Sequence, residues 1–152
     1  MNYKISIKKE HRVLFLLILA ALISRIYIST IFYCQSSDEF GNIAITRQCF
    51  ESGFRRYCDL FMWFYYFISA ALLYVIKDAF FATKLVTIFF GTASVYIIYA
   101  VAKKLFDKKV AILSIFLLTI NPEFTIISST PLREPVYTFF IFLSILCAIN
   151  NR

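Results

Sequence analysis

Two acidic side chains nearly a hundred residues apart, Asp38 and Glu134, and four bases, Arg55, Arg56, Lys84 and Arg133, are the groups in this sequence suited to a transfer reaction. A carboxylate takes the proton of an attacking hydroxyl, and a guanidinium or ammonium steadies the charge on a departing phosphate. Other chemistries lack their parts. His11 is the single histidine and lies in a basic flank, which removes His-based metal sets and Ser/His or Cys/His pairs. Gly41, Gly53 and Gly91 stand apart, so no glycine-rich loop cradles a nucleotide. No ligand set for a metal is recognised, and a divalent cation stays an open alternative. Each candidate also has a plainer role. Asp38 suits a helix N-terminus, Glu134 precedes Pro135 at a helix start, and any one base is explained by lipid headgroups.

Composition dictates which elements position them. The chain is 61% hydrophobic and 16% charged, against about 45–50% and 25% in soluble domains. A soluble globule, a disordered chain and a repeat array are thereby excluded. Nucleic acid is not the expected partner of the +7 net charge, because most of the excess sits beside apolar runs. Those runs are 13–33, 60–76, 79–102, 110–128 and 135–149, and about 20 residues are needed to cross a bilayer.

Lysine placement sets their direction. Lys4, Lys8, Lys9 and Arg12 precede the first run, and Lys103, Lys104, Lys108 and Lys109 separate the third and fourth. Both clusters belong on the cytoplasmic side only if the run 60–76 does not cross. The expected fold is therefore all-α and polytopic: four transmembrane helices at 13–33, 79–102, 110–128 and 135–149, with an outer loop 34–78. No small-x-small site follows the first run, so it is read as an anchor rather than a cleaved signal. Arg25, within it, either snorkels to the outer headgroups or meets an anionic group.

Within the outer loop, Ser36 and Glu39 fit a capping box opening a surface helix at 37–52, with Phe40, Ile43, Ala44 and Phe50 facing the membrane and Gly53 as its stop. A second, aromatic surface helix is expected at 60–76. Cys34, Cys49 and Cys58 lie in this loop, leaving three disulfide pairings open, while Cys147 is read as packing.

The succession S-S-D-E-F-G-N-I-A-I-T-R-Q-C-F-E-S-G (36–53), K-K-L-F-D-K-K (103–109), N-P (121–122) and L-R-E-P-V-Y-T-F-F (132–140) resembles the N-terminal module of GT-C membrane glycosyltransferases. The likeness is to family 39, the dolichyl-phosphate-mannose protein mannosyltransferases and lipid A aminoarabinose transferases, and covers essentially the whole chain. It implies a single module over 1–152 that uses a polyprenyl-phosphate sugar donor and transfers the sugar, generally with inversion, to a hydroxyl at the extracytoplasmic face. Asp38 then looks like the catalytic carboxylate of the first outer loop and Glu134 like the second acidic position. Arg47, Arg55, Arg56, Lys84 and Arg133 are candidates for the donor phosphate. Two departures stand out: C-D-L-F-M-W-F-Y-Y (58–66) offers no counterpart to the family's phosphate-contacting lysine, and relatives are several times longer. The resemblance thus implies a missing C-terminal portion or a partner subunit. The alternative from another class is a non-catalytic multi-pass subunit that scaffolds a membrane complex, in which Asp38 and Glu134 tolerate alanine.

Overall fold

A computed structural model describes residues 2–33, 36–55 and 63–151, with side chains from His11 onward. The described residues form helices and no strand: α1 Asn2–Ile31, α2 Ser37–Glu51, α3 Trp63–Ile76, α4 Ala79–Leu105, α5 Lys108–Ile120, α6 Pro122–Ile127 and α7 Glu134–Asn150. The chain is all-α, as its composition requires.

Capping residues fix the helix starts. The Ser36 hydroxyl accepts the Glu39 N–H at the head of α2. Asp78 accepts from Phe80 and Phe81 ahead of α4, and Asp107 from Val110 ahead of α5. Gly53 and Phe54, both at positive φ, turn the chain away after α2. The apolar run 110–128, expected as one helix, is divided. Pro122 supplies no N–H and pushes Asn121 into extended backbone at ψ 115°, while the Asn121 side chain caps α6.

Helix α4 is the hub. Its Val95, Tyr99 and Ala102 meet Leu14 and Ala21 of α1 and Ala111 and Ile115 of α5, where the alanines allow close approach. Nearer its start, Val86 and Phe90 pack with Tyr65 and Tyr66 of α3 and Val136 of α7. The start of α7 lies beside Thr87, whose hydroxyl donates to the Leu132 carbonyl, and its end lies beside Lys104, which contacts Asn150. Helices α4 and α7 therefore run side by side in one direction. Among the described residues, two segments are long and apolar enough to cross a membrane, His11–Ile31 and Ala79–Leu105. Helix α3, with 14 residues, reaches only about 21 Å.

Helix α2 and Arg25 each place polar groups in the interior. Helix α2 buries its polar stripe, Glu39, Asn42 and Thr46 with Cys49, while Phe40 is 61% exposed. Asn42 is drawn inward by hydrogen-bond partners on α3 and in the segment before α7, and the Thr46 hydroxyl is satisfied within α2 by the Asn42 carbonyl. Arg25 does not snorkel: it is fully buried, donates back to the Ala21 carbonyl at 2.8 Å and lies over the Phe124 ring at 5.1 Å. Its Nε and Nη2 have no hydrogen-bond partner among the described residues. Residue 91 beside it is glycine, where a Cβ would overlap Ser128 and approach the Arg25 Nε to 3.2 Å.

Candidate active site

Asp38 sits exposed in the first turn of α2. One turn along the same face, Asn42 is buried, and its side chain organises the site. Its Nδ2 donates to the Pro131 carbonyl at 2.9 Å, and its Oδ1 accepts the Tyr66 hydroxyl at 2.8 Å. The Thr46 hydroxyl donates to the Asn42 carbonyl, which ties the side-chain network to the α2 backbone.

The same tyrosine reaches α7. Arg133 Nη1 donates to the Tyr66 oxygen at 3.4 Å, and Thr87 fastens the intervening Leu132 carbonyl. Segment 131–133 is thus held by α2, α3 and α4 together. Glu134 follows at once as the first residue of α7, exposed. Asp38, one turn from Asn42, and Glu134, three residues from Pro131, are consequently anchored to the same end of the bundle by one hydrogen-bonded floor.

Electrostatics follow from this packing. Partial burial works against the Arg133 charge, but the hydrogen bond to Tyr66 and the neighbouring Tyr137 and Glu134 outweigh it and raise its pKa. Burial pushes the Tyr65 hydroxyl up, with Tyr66 and Glu134 adding to the effect. Glu134 therefore stands within electrostatic reach of a cation and of buried phenols.

The remaining bases are spread out. Arg47 lies further along α2 and lines a cavity of about 500 Å³ with Glu51 and Lys77. Arg55 is exposed just beyond α2. Lys84 is buried; its ammonium donates to the Ser29 and Phe32 carbonyls at 2.6 and 2.9 Å, lies 4.2 Å from the Phe80 ring centre, and borders a smaller cavity of about 290 Å³. Arg56, Cys34 and Cys58 lie outside the described residues, and with them every disulfide pairing between the outer-loop cysteines that involves Cys34 or Cys58. Cys49 is buried, and Cys147 is exposed.

Asn42 and Tyr66 are absent from the sequence-based candidates. Asn42 carries a faint signal, a polar residue one turn beyond Asp38, whereas Tyr66 is hidden in an aromatic run. Among the described residues no three His, Cys, Asp or Glu side chains gather in a way that would hold a metal ion. The arrangement has two exposed carboxylates able to accept protons and one charged guanidinium beside the second.

A family model for dolichyl-phosphate-mannose-protein mannosyltransferases matches residues 5–151. No curated protein and no solved structure matches the chain.

Proposed function

The chain belongs to the dolichyl-phosphate-mannose-protein mannosyltransferase family, membrane-integral glycosyltransferases of the GT-C kind, and on that premise we propose that it transfers a sugar from a polyprenyl-phosphate carrier to an acceptor hydroxyl. Asp38 accepts the hydroxyl proton as the acceptor oxygen bonds to the anomeric carbon. The bond from that carbon to the phosphate oxygen breaks, and the carrier leaves as its phosphate. Arg133 steadies the charge that develops there, and Glu134 orients the acceptor. Arg47, Arg55, Arg56 and Lys84 add positive potential that draws the donor phosphate toward this end of the molecule.

In this reading α1, α4, the α5–α6 pair and α7 cross the membrane, α3 enters it partway, and the N-terminus is cytoplasmic. The lysines at 103, 104, 108 and 109 lie at the far end of α4 from Asn42 and Arg133, which supports an extracytoplasmic site. One observation carries the proposal. The Asn42–Tyr66–Arg133 chain of hydrogen bonds joins the start of α2, which carries Asp38, to the start of α7, which carries Glu134.

The test is sugar transfer from a labelled polyprenyl-phosphate sugar in membranes containing the full chain and any partner needed for activity. Asp38→Asn should abolish transfer while leaving the amount of folded protein unchanged, and Glu134→Gln should reduce it. Full transfer by Asp38→Asn would refute the assignment and favour the scaffolding alternative.

A further inference from the structure

The Tyr137 hydroxyl is covered from solvent and has no hydrogen-bond partner among the described residues. Phenylalanine would fill the same place without an unsatisfied polar atom, so in this arrangement the oxygen costs stability and returns none.

Its place on α7 shows what it faces. Tyr137 stands four residues beyond Arg133 and three beyond Glu134, which puts all three on one face of the helix start. Val136, its neighbour, is buried in the cluster that also holds Tyr66. Arg133, Tyr66 and Glu134 lie within electrostatic reach of the Tyr137 oxygen.

The Tyr66 oxygen has one partner that can be exchanged. Its proton is committed to the Asn42 Oδ1 at 2.8 Å, while a lone pair accepts Arg133 Nη1 at 3.4 Å, longer than the usual range of about 2.7–3.2 Å. Arg133 and Tyr137 approach from the same side of α7 and compete for that lone pair. A phosphate oxygen offers the guanidinium a stronger, charge-assisted bond than a phenol does.

We propose that Tyr137 is a positioning residue that exchanges with Arg133 on Tyr66: when the guanidinium turns to the departing phosphate, the Tyr137 hydroxyl donates to the Tyr66 oxygen in its place. The Asn42–Tyr66 pair then keeps its anchor on α7 while Arg133 acts, and the starts of α2 and α7 stay joined. The exchange rests on the role proposed above for Arg133, and only hydrogen bonds change hands.

The test is thermal unfolding of the purified full chain in detergent, as a double-mutant cycle of Tyr137→Phe and Arg133→Met. On the wild-type background Tyr137→Phe should unfold no earlier, because the hydroxyl is idle there. In Arg133→Met the lone pair is vacated and Tyr137 fills it, so adding Tyr137→Phe should lower the midpoint by about 2–4 °C. Earlier unfolding of Tyr137→Phe alone, or equal effects on the two backgrounds, would overturn the proposal. A second measurement does not depend on whether Arg133→Met folds. In the sugar-transfer assay Tyr137→Phe should lower kcat about fivefold at unchanged donor KM, the loss of one neutral hydrogen bond made only as the phosphate departs. An unchanged kcat would equally sink the exchange. The unfolding cycle uses no sugar donor, so a flat cycle refutes the exchange and leaves the transfer assignment standing, whereas full transfer by Asp38→Asn refutes the assignment and leaves the cycle readable.

Discussion

The Tyr66 hydroxyl donates to the Asn42 side chain at 2.8 Å, and this contact spans two helices that the sequence separates by a turn and a segment rich in aromatics. Both residues are nearly inaccessible to solvent, at 1% and 4% exposure, so each polar group depends on the other for its hydrogen bond. Because Asn42 also holds Pro131, loss of either side chain loosens the start of α7 as well as α2.

Tyr66→Phe keeps the ring and removes both contacts, to Asn42 and to Arg133. It should destabilise the protein by about 1–3 kcal/mol, the cost of leaving a buried partner unsatisfied. Thermal unfolding in detergent measures the loss, and a larger fall in sugar transfer than in folded fraction marks the positioning effect. Asn42→Ala should cost at least as much.

Gly91 leaves no room for a methyl group between α4 and the residues after α6. Gly91→Ala should cost about 1–3 kcal/mol by overpacking against Ser128. Pairing it with Ser128→Gly should recover most of that loss, and a double-mutant cycle in thermal stability reads the coupling.

Arg25 is buried with two unpartnered nitrogens, and no carboxylate among the described residues pairs with it. Arg25→Met, of similar length and without charge, should be neutral or stabilising by about 1–4 kcal/mol. A loss of stability in the same unfolding measurement would show that the guanidinium has partners that offset its burial.

Lys84 closes the end of α1 by donating to carbonyls that have no helical partner of their own. Lys84→Met should cost about 1.5–3 kcal/mol for each charged hydrogen bond lost. Hydrogen exchange should quicken at residues 28–33 and stay unchanged at the Lys103 end of α4.

Arg133 carries a raised pKa, so its bond to Tyr66 is fully present below the ordinary arginine range and is lost only when pH climbs beyond it. Wild type and Arg133→Gln should therefore show parallel stability curves across neutral pH. Any pH dependence of transfer in that range then belongs to other groups, and a divergence of the two curves would contradict this.

Hydrophobic runs long enough to span a bilayer determined from sequence alone that the chain is helical and membrane-bound. The D-E pair and the later R-E-P also sufficed to recognise the family, because they are short linear patterns. Helix caps at Ser36, Asp78 and Asp107 were likewise local, each needing only a side chain and the backbone two or three residues on. Tertiary structure decided which face of α2 turns inward. Periodicity turns the apolar face of α2 toward the membrane and gives its polar face no partner; Asn42 is drawn in by a carbonyl 89 residues away and a phenol 24 residues away, which no local pattern reveals. The same holds for the bases: sequence offered five equivalent cations, and packing set Arg133 beside Glu134, Lys84 on the end of α1, and Arg47 with Lys77 on a cavity of their own. Charge can be read from composition, whereas the company a charge keeps depends on which helices the fold brings into contact.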